Sequence, residues 1–330
     1  MRIAILGAGA WGSALAINLS SYHQVNLWTR DSHHATEMIA TGINQRYLPH
    51  YVLPKTITVS AVLTDALKEV DFALVVVPIS GLRETLRKIT VSRIKLPLLW
   101  GCKGFESSTA KLPHQIIQEE YSGFVSQYGV LSGPSFADEV ARNLPTALTL
   151  ASKDPEFSKQ MAASLHSPKL RIYTSRDVIG VEIGGAIKNV ISIAAGISDG
   201  LGFGNNARAA LITRGLSEIT RLGLKLGGDL KTFMGLTGVG DLILTSTGQL
   251  SRNRQVGLML AEGKSIDEIL AQLGHVAEGV HTTQSVLQLG GQLNIEMPIT
   301  QAVYSILHER VSPRSAVEVL LNREQKTEAY

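Results

Sequence analysis

One lysine lies alone in a long apolar segment. Between Glu182 and Asp199 the sequence is apolar with a helical pattern, and Lys188 is the only charged residue inside it. Because burying an unpaired ammonium group is costly, we expect Lys188 to face a polar cleft or to have a lowered pKa. Either setting suits proton transfer. The alternative is a lysine whose side chain reaches solvent at the edge of a domain.

Small and polar residues share one helix face with this lysine. They recur every three or four residues, which places them in a single stripe along the helix. The stripe consists of Gly185, Lys188, Asn189, Ser192, Gly196 and Asp199. We expect its small side chains to leave room for a ligand beside the lysine.

A second cluster combines glycines, an aspartate and an arginine-rich loop. Gly238 and Gly240 precede Asp241, Thr245 follows it, and residues 251–254 read Ser-Arg-Asn-Arg. Glycines allow a backbone to approach a ligand, and an arginine fork beside Ser and Asn suits a phosphate dianion. A solvated surface loop is the alternative for residues 251–254.

The start of the chain carries a pattern that binds dinucleotides. Residues 7–12 read Gly-Ala-Gly-Ala-Trp-Gly, follow a strand pattern and open a helical one. Gly7 allows a tight turn, Gly9 lets a pyrophosphate approach the backbone, and Gly12 lets helix and strand pack closely. Bound phosphates then contact the N–H groups of a helix N-terminus. Close helix–strand packing without a ligand is the alternative.

The end of the second predicted strand indicates which dinucleotide is preferred. An NAD site commonly has Asp or Glu there to bind the ribose 2′-hydroxyl. This strand, residues 25–28, instead runs into Thr29 and Arg30. Arg30 suits a 2′-phosphate, so we predict a preference for NADP over NAD. The alternative is a solvated arginine paired with Asp31.

A second lysine follows a predicted strand. Residues 101–104 read Gly-Cys-Lys-Gly and come directly after the strand pattern 96–100. Ligands of open α/β sheets bind beyond the carboxyl ends of the strands, so we expect Lys103 to point into the same crevice as the nicotinamide. We interpret Cys102 as a small buried side chain rather than a nucleophile.

A parallel sheet has to position these residues. The first half of the chain alternates short β-branched runs with helical patterns, which is typical of βαβ units. Residues 72–77 are apolar without alternation, which predicts a strand buried on both faces at the centre of the sheet. The predicted strands cover residues 2–6, 24–28, 56–60, 72–77, 96–100, 129–132, 146–151 and 169–173.

After residue 176 the pattern changes to long helices rich in Ala, Leu, Ile and Gly. The pattern predicts amphipathic surface helices over residues 264–273 and 282–289. Pro298 is expected to start another helix that runs to about residue 310. We therefore predict a Rossmann-like α/β domain with a mainly parallel sheet over residues 1–178. An all-α substrate-binding domain is predicted over residues 179–330.

Composition excludes several classes of protein. The chain has 330 residues, 44% of them hydrophobic, and a net charge of +3 without a run of like charge, which favours a small phosphorylated partner over nucleic acid. A single cysteine excludes an internal disulfide, so a cytoplasmic location is expected. Residues 3–29 lack charge and imitate an export signal, but their glycines and polar residues argue against one. The histidines have no metal-binding spacing, so no metal is predicted.

Several separated motifs occur along the chain. They are GAGAWG at residues 7–12, GCKGFE at 101–106, SGPSFA at 132–137, AIKNV at 186–190, GDL at 240–242, SRN at 251–253 and VAEG at 276–279. In this order they resemble the NAD(P)-dependent glycerol-3-phosphate dehydrogenases of bacteria. The resemblance implies reversible reduction of dihydroxyacetone phosphate to sn-glycerol 3-phosphate by NADP or NAD, for phospholipid synthesis. It also implies a homodimer. No membrane span is predicted, because the glycines and polar residues within 3–29 do not suit a spanning helix.

The resemblance implies roles for the matched residues. Lys188 becomes the proton donor and acceptor, with Lys103 and Asp241 as its catalytic neighbours. The implied substrate-binding residues are Lys103, Gly133, Ser135, Lys188, Asp241, Ser251, Arg252 and Asn253. The implied cofactor-binding residues are Gly7, Gly9, Ala10, Trp11, Gly12, Arg30, Lys103, Ala137, Arg252, Val276 and Glu278. Whether His33 or His34 contacts the adenosine end is left open.

Two other functions fit parts of this pattern. A β-hydroxyacid dehydrogenase or a ketopantoate-type reductase also combines a Rossmann domain, a helical domain and a lysine. The loop at residues 251–253 favours a phosphorylated substrate over theirs. A catalytically silent dinucleotide sensor is the alternative outside the enzymes, and the presence of Lys103, Lys188 and Asp241 together argues against it.

Overall fold

The computed structural model describes residues 1–121, 123, 127–273 and 277–324. Its strands are β1 (Arg2–Leu6), β2 (Gln24–Trp28), β3 (Ile43–Asn44), β4 (Leu48–Val52), β5 (Ile57–Ser60), β6 (Phe72–Val75), β7 (Leu98–Trp100), β8 (Tyr128–Ser132), β9 (Thr146–Ala151) and β10 (Leu170–Ser175). The helices that lie between these strands in the sequence are α1 (Ala10–Leu19), α2 (Ser32–Thr41), α3 (Leu63–Ala66), α4 (Ile79–Val91), α5 (Pro113–Glu120), α6 (Ala137–Ala141) and α7 (Pro155–Leu165).

The rest of the described chain is helical. Its helices are α8 (Val178–Gly200), α9 (Gly204–Lys225), α10 (Leu230–Phe233), α11 (Asp241–Thr247), α12 (Arg252–Ala261), α13 (Ile266–Leu273), α14 (Glu278–Gln292), α15 (Pro298–His308) and α16 (Pro313–Leu321). A π-helical turn, Leu236–Gly240, leads directly into α11. Within the described residues no strand follows β10, so the predicted fold class is confirmed. The predicted division between residues 178 and 179 stays a prediction.

The sheet has eight strands in the order β10-β9-β8-β7-β6-β1-β2-β5. All neighbouring pairs are parallel except β8 and β9. The apolar run that starts at Phe72 forms β6 and lies near the middle of this order, as predicted. A separate antiparallel hairpin, β3 and β4, was not predicted.

Both faces of the sheet are buried. In β1, Ile3 and Ile5 pack into one apolar cluster with α1 and α7, while Ala4 and Leu6 pack into another with α4 and α5. Successive side chains of a strand point to opposite faces, so a strand covered on both sides is apolar throughout. This explains why residues 3–29, which form β1, α1 and β2, lack charge.

Helix α8 is the core of the helical half. Among the described helices, α8 alone is long and apolar enough to cross a membrane. However, 94% of its most apolar 18-residue stretch is buried inside the protein. Its first turn reaches the other half, because Val178 and Val181 pack into a cluster beneath the sheet. The helix therefore connects the eight-stranded sheet to the bundle that surrounds it.

The expected ligand space along the small stripe of α8 is mostly filled by protein. A Cβ atom on Gly196 would lie 2.1 Å from the carbonyl oxygen of Arg254, so α12 packs directly on this face. Further along, Ser192 Oγ lies 3.2 Å from Ser246 Oγ on α11. The stripe prediction is therefore wrong for most of its length, because small residues also permit close helix packing.

The predicted amphipathic surface helix 282–289 has one exposed face and one buried face, and the buried face carries hydroxyl groups. These residues form the middle of α14, where Thr282, Thr283 and Ser285 are buried. Thr283 Oγ1 donates a hydrogen bond to the carbonyl oxygen of Gly279 at 2.6 Å, which satisfies the hydroxyl without water. Buried hydroxyl groups with local backbone partners resemble a solvated helix face in sequence.

Candidate active site

One carboxylate holds two lysines from different elements. Asp241, the first residue of α11, accepts a hydrogen bond from Lys103 Nζ at 2.8 Å through Oδ2. Its Oδ1 accepts a hydrogen bond from Lys188 Nζ. Lys188 Nζ also donates to Thr245 Oγ1 at 2.9 Å, and Thr245 Oγ1 in turn donates to the Asp241 carbonyl oxygen. The structure thus places Lys103, Lys188 and Asp241 in one cluster.

The three charged groups differ in their contact with solvent. The side chain of Lys103 is 18% exposed, that of Lys188 is 8% exposed and that of Asp241 is 2% exposed. Burial lowers the pKa of Lys188 to about 7; Asp241 opposes this shift and the charge of Lys103 adds to it. Burial raises the pKa of Asp241, but Lys103 and Lys188 together hold it below its usual value. An ionised aspartate therefore holds an ammonium group that can exchange its proton near neutral pH.

Close packing brings Asp241 to α8. A Cβ atom on Gly184 would lie 2.5 Å from the carbonyl oxygen of Thr237, so the π-helical turn rests directly on α8, one turn before Lys188. The turn runs straight into α11 and delivers Asp241 at that level. Such π-helical segments often occur at functional sites.

Gly185, beside the lysines, has little room for a side chain. A Cβ atom there would lie 3.0 Å from Ser132 Oγ and 3.6 Å from Lys103 Cδ. Ser132 Oγ is buried without a hydrogen-bond partner among the described residues. The glycine thus lets the end of β8 and the Lys103 side chain approach α8 closely.

The glycine-rich turn has the geometry that the pattern predicts. Gly7 has φ +124°, and a Cβ atom there would lie 2.9 Å from the carbonyl group of Val76. A Cβ atom on Gly12 would lie 1.9 Å from the Gly7 carbonyl oxygen, whereas one on Gly9 would meet nothing within 4 Å. Gly7 and Gly12 therefore permit the tight turn and the close packing of this surface, and Gly9 leaves open space where a phosphate can approach. No side chain caps α1, so its first N–H groups stay available.

Trp11 and Ala10 continue this surface. Ala10 begins α1, and Trp11 packs against the loop that carries Lys103: a Cβ atom on Gly101 would lie 2.1 Å from its indole ring. The Trp11 Nε1 atom is buried and has no hydrogen-bond partner among the described residues. Ala137 begins α6, which packs on α1. An unpaired buried donor next to open backbone fits a dinucleotide with hydrogen-bond acceptors.

Arg30 is exposed at the end of β2 and has no hydrogen bond or ion pair with a described residue. The alternative pairing with Asp31 is wrong. Asp31 instead accepts hydrogen bonds from the backbone of α2 and forms an ion pair with Arg46 at 3.3 Å. The Arg30 guanidinium group is therefore available to a ligand.

The arginine-rich loop is only partly available. Arg254 donates to Asp199 Oδ2 at 2.7 and 2.9 Å, so it is not part of a phosphate fork, and that part of the prediction is wrong. Ser251 Oγ caps α12 by accepting from Arg254 N, and Asn253 bridges Asn189 and the backbone N–H of Gly279. Arg252 is exposed and has no hydrogen bond with a described residue.

Four predicted site residues remain, namely Gly133, Ser135, Glu278 and Val276. Gly133 has φ +141°, and its carbonyl oxygen accepts from Ser135 Oγ at 3.1 Å. Glu278 begins α14; burial raises its pKa, while Arg252 and the two lysines oppose that shift. Val276 lies outside the described residues.

Thr245, which the sequence pattern includes in the second cluster, lies four residues after Asp241, one turn further on the same helix face. Sequence reasoning missed the role of Glu182. Glu182 on α8 accepts hydrogen bonds from Trp100 Nε1 at 2.9 Å, from His114 N at 2.8 Å and from His114 Nδ1. This ties the end of β7 to α8 near both lysines. In the part of the chain that the structure describes, no group of three His, Cys, Asp or Glu side chains could hold a metal ion.

Comparison with known proteins identifies one family from the first strand to the last helices of the chain. The model described as NAD-dependent glycerol-3-phosphate dehydrogenase N-terminus matches residues 2–158, and the one described as its C-terminus matches residues 177–318. A glycerol-3-phosphate dehydrogenase [NAD(P)+] of Nitrosospira multiformis is 62% identical over 100% of both chains. The crystal structure of glycerol-3-phosphate dehydrogenase from Coxiella burnetii superposes with a TM-score of 0.93 at 45% identity, over 98% of this chain and 99% of that one.

One of the alternative families is a more distant neighbour. A ketopantoate reductase from Ralstonia eutropha superposes with a TM-score of 0.59 at 15% identity, over 96% of this chain and 100% of that one. This similarity shows a shared fold alone. The family matches and the lysine cluster agree with the motifs found in the sequence. The chain belongs to the NAD-dependent glycerol-3-phosphate dehydrogenase family.

Proposed function

We propose that the chain reduces dihydroxyacetone phosphate to sn-glycerol 3-phosphate with NAD(P)H, and catalyses the reverse reaction. The observation that carries this proposal is the pair of lysines on Asp241, next to a dinucleotide-binding turn. Reduction of a ketone requires a hydride at carbon and a proton at oxygen. The cluster holds the proton, and Trp11 brings the turn against the Lys103 loop.

The residues of the cluster have separable roles. Bound NAD(P)H supplies the hydride to the carbonyl carbon of the substrate. Lys188 donates its proton to the carbonyl oxygen, and Asp241 and Thr245 hold Nζ in place. The positive charge of Lys103 stabilises negative charge that develops on that oxygen. In the reverse direction, neutral Lys188 accepts the proton of the alcohol.

The binding residues are assigned to two surfaces. Gly7, Gly9, Ala10, Trp11 and Gly12 form the dinucleotide surface, together with Arg30, Ala137 and Glu278. Gly133, Ser135, Ser251, Arg252 and Asn253 surround the substrate. Arg252 supplies the main charge for the phosphate, while Ser251 and Asn253 fix the loop around it. The role of Val276 and a homodimer stay predictions from the resemblance, and a cytoplasmic location stays a prediction from the cysteine content.

The test compares three ketones in one assay. NADPH oxidation is followed by absorbance with dihydroxyacetone phosphate, unphosphorylated dihydroxyacetone and ketopantoate. We expect efficient turnover with the first only. Faster turnover with ketopantoate would assign the chain to the other reductases, and no oxidation with any ketone would favour a dinucleotide sensor.

The cofactor preference depends on Arg30. We expect NADPH to be used at least as efficiently as NADH, because the exposed guanidinium group can pair with a 2′-phosphate. The substitution Arg30→Asp should lower kcat/KM for NADPH selectively. The matched control is Arg93→Asp, the same charge reversal at an exposed loop residue after α4. If Arg30→Asp leaves the ratio of the two specificity constants unchanged, the assignment of Arg30 is wrong.

A further inference from the structure

A buried polar network lies behind the glycine-rich turn. Its centre is Asn44, the last residue of β3, which is 0% exposed. Asn44 Nδ2 donates to the Ala8 carbonyl oxygen at 2.9 Å and lies 2.7 Å from Ser13 Oγ. Asn44 Oδ1 lies 3.0 Å from His34 Nε2 and accepts from the backbone N–H of Tyr47 at 3.1 Å.

The backbone partners allow only one arrangement of this network. The Ala8 carbonyl oxygen can only accept a hydrogen bond, so the amide nitrogen of Asn44 must face it. The Tyr47 N–H can only donate, so Oδ1 must face Tyr47 and also His34. His34 Nε2 therefore carries a proton, and its Nδ1 faces Thr29 Oγ1 at 3.4 Å. Every polar atom of the Asn44 side chain has a partner, and such networks favour a single conformation.

The network holds the turn at two points. Ala8 lies between the two glycines Gly7 and Gly9, and Ser13 follows Gly12 in the first turn of α1. Among the described residues, Asn44 is the only side chain outside residues 7–13 that hydrogen bonds to them. The other hydrogen bonds that residues 7–13 form with described residues are made by backbone atoms. For example, Gly7 N donates to the Trp28 carbonyl oxygen at 2.9 Å.

We propose that Asn44 is a positioning residue for dinucleotide binding. It fixes the Ala8 carbonyl group toward the interior, and the N–H groups at the start of α1 then point to the open space above Gly9. His34 acts through Asn44, because both of its ring nitrogens face partners inside the network, while His33 is exposed. The hairpin of β3 and β4 thereby supports the cofactor site through Asn44. This inference rests on the use of a dinucleotide and not on the identity of the ketone.

The test removes the donor of Asn44 and keeps its shape. In Asn44→Asp the carboxylate cannot donate to the Ala8 carbonyl oxygen, so the turn loses its anchor. We expect the dissociation constant of NADPH, measured by quenching of tryptophan fluorescence without ketone, to rise by about tenfold or more, as expected for a buried acceptor left without its partner. Turnover at saturating NADPH should change by less than about threefold, because Asn44 does not touch the lysine cluster.

A matched control makes the same chemical change at a buried residue of α1. Asn18 is also buried, and its Nδ2 donates to Asn143 Oδ1 at 2.9 Å, away from the turn. Asn18→Asp should lower the thermal midpoint and leave the NADPH dissociation constant unchanged. Ser13→Ala removes one of the two contacts without adding charge, and should raise the dissociation constant by a smaller factor. If Asn44→Asp and Ser13→Ala both bind NADPH as the Asn18→Asp variant does, Asn44 is only a structural residue and the proposal fails.

Discussion

Replacing Lys188 with methionine is expected to lower turnover by a factor of at least about 10² to 10⁴, which is typical of lost general acid catalysis. Methionine has similar volume and helix propensity but has neither charge nor a transferable proton. The protein should still fold, because Asp241 keeps its ion pair with Lys103 at 2.8 Å when Lys188 is lost. NADPH binding should also be unchanged, since the glycine-rich turn does not contact Lys188.

A structural lysine predicts the opposite result. Replacing a costly buried charge with an apolar side chain is often neutral or stabilising, and turnover would then stay near normal. The matched variant Lys188→Arg keeps a positive charge, but a guanidinium group does not release its proton. It should therefore also lose most of its turnover. Measuring the thermal midpoint, NADPH affinity and turnover on the same preparations distinguishes a catalytic lysine from a structural one. Near-normal turnover in a folded Lys188→Met would leave Lys103 as the next candidate acid.

The pH dependence of the unmodified enzyme checks the same assignment of Lys188. Its pKa is lowered by burial to about 7, so the ammonium form is lost as the pH rises through that value. Ketone reduction needs the ammonium form, and its turnover should fall above about pH 7. Oxidation of the alcohol needs the neutral amine, and its turnover should rise over the same range. These two profiles should flatten in Lys188→Met, because the titrating group is absent.

Sequence reasoning located the lysine cluster because each member carries a local signal. Lys188 is conspicuous in an apolar helix, and Lys103 follows a strand that ends at the ligand-binding edge of the sheet. That Asp241 is the shared neighbour of both lysines could be suggested only through the family resemblance. Its contacts with Lys188 and Lys103 span 53 and 138 positions of the sequence, and no local pattern encodes such distances.

The features that were missed or wrong depend on packing between distant segments. Strand β3 has two residues, too few to show alternation, so Asn44 gave no signal. The stripe on α8 and the pairing of Arg254 with Asp199 look the same in sequence whether a ligand or a helix lies opposite. Small residues and charged side chains indicate a close partner. The tertiary fold determines whether that partner is a ligand or another helix.

Arg252 carries the second large effect. It is the first residue of α12, exposed between Ser251 and Asn253, whose side chains are held by the helix cap and by Asn189. A guanidinium group on such a fixed backbone can bind a phosphate dianion with two hydrogen bonds, and the helix N-terminus adds favourable charge. Arg252→Ala should therefore lower kcat/KM for dihydroxyacetone phosphate by about 10²-fold or more.

The loop itself supplies the control for Arg252→Ala. Arg254 lies two residues further on but pairs with Asp199, so Arg254→Ala should lower the thermal midpoint without distinguishing phosphorylated from unphosphorylated substrate. Arg252→Ala should leave the slow turnover of unphosphorylated dihydroxyacetone unchanged, because that ketone has no dianion to bind. An equal loss with both ketones would mean that Arg252 supports the loop or the cofactor instead. The comparison of two arginines and two ketones therefore assigns the phosphate to one side chain, since only that side chain discriminates between the ketones.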